Sequence, residues 1–292
     1  PVAILLMDTQ GMFDNETAMT LTAQIFGIST MISSFQIYNV DKRIQEDNLQ
    51  HLALFSEYGR MALRPHISSN ADIGKEVKSA SSKPFQHLQF LVRDWQNFDG
   101  DWDEKTSQSD QDETYKELRR SMETYLLSVI KDRDVADLQS TRRQISRCFE
   151  EIDCYLLPFP GTHVTRKNYD GSVGKIDFFF RSLLDRYVRM IFEDKLEAKR
   201  INQRYITGHE LLSFFDAYVK MFQEGSNTFP KAMTMLDATA EANNRNALAM
   251  AISKYKKGMS EIAGISSPFV KESMLLERHL LLEKEAIDVF SE

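Results

Sequence analysis

Three short stretches carry residue types suited to nucleotide chemistry. Asp8-Thr9-Gln10-Gly11 follows the apolar run Val2 to Met7, whose composition predicts a buried strand, so the acid would stand where a parallel strand delivers its last residues to a ligand. A carboxylate there can hold Mg2+ through water, and a glycine three residues on can bring its amide to a terminal phosphate with no side chain in the way. The same residues also suit an ordinary strand-end turn. Arg93-Asp94 closes a second apolar run, Leu88 to Val92. An Asp at that point can accept from both the ring N–H and the exocyclic amine of guanine, whereas adenine presents no matching donors; on the dipeptide alone, a surface ion pair is the simpler reading. The third stretch, Phe159-Pro-Gly-Thr-His-Val164, follows the strand Cys154 to Leu157. Gly161 and its flanking prolines restrict a turn there that either covers a base edge or simply connects two elements.

The elements that would position these stretches alternate. Leu21, Ile25 and Ile28 fall at helical spacing, Ser34 to Tyr38 reads as a short strand, and Leu49, Leu52, Phe55 and Tyr58 to Met61 lie on one face of a helix over 45–63. Residues 66–83 read as a surface insertion and 97–114 as an acidic exposed loop, with helices over 114–131 and 136–149. Continuous apolar strands separated by helices indicate βα units, a parallel sheet with helices on both faces, and a ligand at the carboxyl ends of the strands. Beyond Gly174 the pattern is helical: 175–193, then 207–223 with Thr207 as cap and Glu210 three residues later, then a long helix over 231–259 and a last helix carrying Leu276, Leu280, Ile287 and Phe290. That last apolar stripe needs a partner, which reads as a helical module cut short. Met233, Met235 and Met250 read as packing residues.

Composition narrows the function classes. The 292 residues carry 36 Lys+Arg against 43 Asp+Glu, a net charge of −7, with no basic tract of the kind phosphate-backbone binding needs. No apolar run approaches the roughly 20 residues that span a bilayer. Cys148 and Cys154 match no zinc spacing and read as buried thiols, and the histidines at 51, 66, 87, 163, 209 and 279 form no metal-ligand pair.

Leu5-Leu-Met-Asp-Thr-Gln-Gly11, Ser29-Thr-Met-Ile-Ser-Ser34, Gln45-Glu-Asp-Asn-Leu-Gln-His-Leu52, Leu91-Val-Arg-Asp-Trp95 and Leu236-Asp-Ala-Thr-Ala-Glu-Ala-Asn-Asn244, in this order, resemble the atlastin family, the dynamin-superfamily GTPases that fuse tubules of the endoplasmic reticulum. The resemblance runs nearly end to end. It implies a three-layer α/β GTPase core of P-loop type, lacking its first strand, followed by part of an α-helical bundle: 1–225 as the later part of the GTPase domain, 226–230 as linker and 231–292 as the start of the helical middle domain. It also implies roles: Asp8 as the Mg2+-side acid acting through water, Gly11 as a γ-phosphate contact, Arg93 and Asp94 as guanine-recognition residues, and Thr162, His163 and Val164 as the base cap. GTP or GDP with Mg2+ would be the ligands, a second copy the partner through the GTPase and middle domains, and the cytosolic face of the endoplasmic reticulum membrane the location, reached through segments this chain does not contain.

Departures from the family pattern matter as much. No G-x-x-x-x-G-K followed by Ser or Thr occurs: Gly74-Lys75 is followed by Glu76 and Gly174-Lys175 by Ile176. The switch-I threonine and arginine finger have no counterpart, Met12 stands where relatives often carry Thr, and the opening inside an apolar run reads as a fragment. Charge-assisted hydrogen bonds are worth roughly 1.5–3 kcal/mol each, so losing about three removes on the order of 5–9 kcal/mol, or roughly three to six decades of affinity. The chain alone is therefore expected not to hydrolyse GTP. Two rival readings remain at this stage, a relative of the guanylate-binding proteins with a longer helical tail, and a non-catalytic truncated binding module.

Overall fold

The structure, a computed structural model, describes residues 3–9, 19–62, 83–131, 135–201, 204–224, 232–264 and 269–291. Its contacts divide the chain into two units, Pro1–Ile206 and Thr207–Glu292.

The first unit is built on a parallel sheet in the order β1-β2-β3, from β1 (Phe35–Asp41), β2 (Phe85–Arg93) and β3 (Phe149–Leu156). Leu88, Phe90, Val92, Cys154 and Leu156 on one face and Gln89 and Tyr155 on the other are all almost fully buried, the signature of strands covered on both faces. One face receives α1 (Met19–Ile32), α2 (Glu46–Ala62) and α4 (Ala136–Cys148); Tyr38 of β1 packs edge-on against Phe26 of α1 at 5.7 Å and gives its hydroxyl hydrogen to the Asn48 carbonyl at the start of α2. The other face receives α3 (Gln108–Ile130) and α5 (Phe178–Arg189): Tyr155 of β3 packs at a tilt against Tyr187, ring centroids 4.6 Å apart, and donates to the Leu183 carbonyl, while Arg119 of α3 lies over the Tyr155 ring. Helices on both faces of a parallel sheet make the three-layer α/β arrangement that the sequence predicts.

Several boundaries differ from the sequence reading. Residues 3–9 form no strand, and Ile4, Leu5, Leu6 and Met7 are exposed, Leu6 at 85%. An apolar run becomes a strand only where a neighbour supplies a ladder, and among the described residues none pairs with this one. The loop expected over 97–114 is partly helix and partly anchored. Ser107 caps α3, its Oγ accepting from the Asp110 amide, and Trp102 is buried with its indole N–H donating to Ser182 Oγ at 3.0 Å. After α5, which starts at the Asp177 cap, the chain widens into a π-helical turn, Met190–Lys195, and then a small antiparallel hairpin of β4 (Arg200–Ile201) and β5 (Arg204–Tyr205) that the sequence reading missed. The insertion over 66–83 lies, except for Lys83, outside the described residues.

The second unit holds α6 (Gly208–Glu224), α7 (Ala232–Ala263) and α8 (Glu272–Ser291). The predicted capping box at α6 forms in both directions: the Thr207 amide donates to Glu210 Oε2 at 2.7 Å, and the Glu210 amide donates to Thr207 Oγ1 at 3.3 Å. α7 and α8 meet through buried Leu282 against Gly258, the Tyr255–His279 hydrogen bond at 2.8 Å and Lys254 beside Glu285. Leu276, Leu280, Ile287 and Phe290 stay exposed, as does Met250, so that methionine is no packing residue of this unit.

Candidate functional site

Because the three strands run parallel, their carboxyl ends share one edge of the sheet, with Asp41 opposite Arg93 and Val92 opposite Leu156. Arg93-Asp94-Trp95 is held there from both neighbours. The Lys42 amide donates to the Arg93 carbonyl at 2.8 Å, the Leu157 amide to the Val92 carbonyl at 2.8 Å, and the Trp95 amide to the Leu157 carbonyl at 2.9 Å. Asp94 between them adopts φ 54°, and Lys42 at the end of β1 adopts φ 58°, two left-handed conformations in residues other than glycine. Each costs about 1–2 kcal/mol and persists because the surrounding backbone bonds over-determine it. Asp94 is half-buried at the crest of this turn; Arg93 is exposed, its Nε–H donating to Asn39 Oδ1 at 2.7 Å.

The loop leaving β3 reaches the same edge. Gly161 adopts φ 100°, open to glycine and strained for other residues, and a Cβ there would sit 3.5 Å from Asp177. The turn closes on itself: Thr165 Oγ1 donates to the Thr162 carbonyl at 3.0 Å, the Val164 amide to the Gly161 carbonyl at 3.4 Å, and the Arg166 amide to the His163 carbonyl at 3.4 Å. Its far end is tied by the Asp177 amide donating to the Pro160 carbonyl at 2.9 Å. Thr162 and His163 are exposed and Val164 is half-buried. The structure thus places Arg93 and Asp94 at the end of β2, and the loop that carries residues 162–164 starts from the neighbouring end of β3. Asp8 lies exposed in the extended segment 3–9, outside the sheet, and Gly11 lies outside the described residues.

A second polar cluster sits toward the other end of the strands. His87 pairs in register with Glu151, and the ligand-type atoms of His87, Glu151 and Asp153 lie within 4.8 Å of one another. The sequence reading excluded histidine–metal pairs from spacing along the chain; this group arises from register between strands. Its charges are already answered. Lys195 from the π-helical turn pairs with Glu151, and Arg119 pairs with Asp153 at 3.4 Å. Burial holds the His87 pKa below its ordinary value, partly offset by Glu151, while the Lys195 and His87 bonds outweigh burial and lower that of Glu151. A divalent ion would have to displace Lys195, so the arrangement is a balanced ion-pair network. His87 stands six positions before Arg93 along β2, about 20 Å from the carboxyl edge at roughly 3.3 Å per residue.

The family model described as guanylate-binding protein, N-terminal domain, matches residues 1–200, and that described as guanylate-binding protein, C-terminal domain, matches residues 202–292. The chain belongs to the guanylate-binding protein family. Relatives include Atlastin-1 of Mus musculus, 39% identical over 99% of this chain and 47% of its own length, and Atlastin of Drosophila melanogaster, 39% identical over 99% of this chain and 49% of its own. Atlastin-2 of Homo sapiens is 37% identical over 99% of this chain and 45% of its own length. The chain spans about half the length of the curated relatives it matches.

The guanylate-binding protein N-terminal domain is a P-loop GTPase fold, in keeping with the parallel sheet and its two helical layers. Seen in that family frame, two residues at the edge escaped the sequence reading. Asn39 and Lys42 both fall beyond the strand expected over Ser34 to Tyr38, because β1 runs on to Asp41; both reach Arg93 through the register of β1 against β2, which no single stretch encodes.

Proposed function

We propose that the carboxyl edge formed by β1, β2 and β3 is the guanine-recognition part of a GTPase of atlastin type. The observation that supports this best is the left-handed Asp94, fixed at the end of β2 by backbone hydrogen bonds on either side. A carboxylate held there accepts two donors from guanine and is left unpaired by adenine, so base choice is made by an unsatisfied acid as much as by a satisfied one. Thr162, His163 and Val164 cover the base, and Arg93 lies at its margin.

Asp8 offers a single exposed carboxylate, which suits a Mg2+ ion held mainly by water and phosphate oxygens, and Gly11 the terminal phosphate. Bound Mg2+ would neutralise charge on the phosphates during hydrolysis. The sequence holds no G-x-x-x-x-G-K followed by Ser or Thr, so we assign base selection to these residues and expect no hydrolysis by the 292 residues alone. In the whole protein, GTP binding and hydrolysis would drive pairing of two copies through the GTPase and helical units and fusion of endoplasmic reticulum membranes. No described helix is long and apolar enough to cross a membrane itself.

The test is titration of fluorescent GDP and GTP, with Mg2+, into the 292-residue chain and into the longest form its source encodes. Binding and turnover only in the longer form are expected. Tight binding by the shorter chain would contradict the phosphate argument, and no binding by either would favour a non-catalytic module.

A further inference from the structure

Asn39 lies near the end of β1, in register with Leu91, so it shares a face of the sheet with Arg93 two residues further along β2. Its Oδ1 accepts the Arg93 Nε–H at 2.7 Å, and among the described residues no other hydrogen bond or ion pair holds that guanidinium. Both side chains are exposed. An exposed arginine otherwise samples many rotamers, and all of that freedom is lost when a ligand pins it. With Nε–H engaged, the planar fork is fixed and its two terminal nitrogens are left free to face a ligand.

We infer that Asn39 is a positioning residue for base selection: it pre-sets the Arg93 guanidinium for the guanine ring. The inference rests on the guanine-recognition reading above and adds a residue from a different strand to it. It also gives β1 a part in specificity, since the acceptor comes from β1 and the cation from β2. Loss of one preorganising hydrogen bond should weaken GDP binding about 3-fold to 10-fold.

The experiment measures GDP and ADP affinities of the longest form its source encodes, as wild type, Asn39→Ala, Arg93→Ala and the double variant, with thermal unfolding of each. Asn39→Ala is expected to weaken GDP with little change for ADP, Asn39→Asp to restore GDP affinity by keeping the acceptor, and the double variant to match Arg93→Ala within about 2-fold, because the two residues act as one. If the alanine variant does not fold, Asn39→Gln, which keeps the amide but displaces its oxygen by one methylene, takes its place. Full additivity in the double variant, or unchanged GDP affinity in Asn39→Ala while Arg93→Ala weakens it, would overturn the inference. Unchanged GDP affinity in Arg93→Ala would instead overturn the part given to Arg93 in base recognition. Absence of GDP binding in the wild type would overturn both.

Discussion

Asp94 combines a costly backbone conformation with the chemistry assigned to it, so substitutions separate the two. Asp94→Asn tolerates the left-handed turn and exchanges one acceptor oxygen for an N–H donor. Xanthine carries a carbonyl where guanine carries its amine, so the Asn variant is expected to lose GDP affinity and gain affinity for xanthosine diphosphate, read by competition binding; an unchanged preference would remove Asp94 from base recognition. Lys199 makes a different kind of prediction. Its ammonium is buried with one hydrogen bond to the Ser33 carbonyl at 2.7 Å, and burial, with Arg200 adding repulsion, pulls its pKa down to about 7. A lysine in an unfolded chain titrates near about 10.4. Between these values the unfolded chain binds a proton that the folded chain does not, so stability rises with pH from about 7 to about 10.4, and the burial penalty is complete below 7. Lys199→Met should flatten that rise by on the order of a few kcal/mol in urea unfolding at pH 7 and pH 9.5; an unaltered slope would mean that Lys199 is not desolvated.

Among the elements, the joint between α2, α3 and α4 depends on one side chain. Arg142 of α4 is buried and makes a bidentate pair with Glu46 of α2 at 2.8 and 3.0 Å, and its Nε–H donates to the Val129 carbonyl near the end of α3. Arg142→Ala removes this pair and the bond to the Val129 carbonyl but leaves a Glu46 that water still reaches, so it should cost about 1–3 kcal/mol, measured as a fall in unfolding free energy. The pairing of α7 and α8 makes the opposite kind of test. Gly258→Ala improves helix propensity by about 1 kcal/mol, but its new methyl group would run into Leu282, so net destabilisation is expected on thermal unfolding; a stabilised variant would show that the two helices can part without cost. Elements with strong local signals were legible in the sequence. β2 and β3 read as apolar runs and α6 as a capping box, whereas the start of α3 was hidden because the acidic composition around Ser107 resembles a loop. The β4–β5 hairpin is too short to show alternation, and the run at residues 3–9 looks like a strand because hydrophobicity does not report whether a ladder partner is present.

For the molecule as a whole, the sequence singled out Arg93-Asp94, which the structure places at the carboxyl edge of the sheet, but not what fixes it there. Asn39, Lys42 and the His87–Glu151–Asp153 network are products of strand register, and register is a property of pairing between distant segments. Asp8 lies in the segment 3–9, which pairs with no strand among the described residues, so the phosphate half of the proposed site rests on sequence alone, whereas Asp94 is held by hydrogen bonds in the structure. The decisive measurement is the ratio of GDP to ADP affinity, with Mg2+, in the longest form its source encodes, for wild type and Asp94→Ala. A strong preference for GDP is expected in the wild type, collapsing in the variant while thermal unfolding shows the fold retained; an undiminished preference in a folded Asp94→Ala protein would contradict guanine recognition by Asp94.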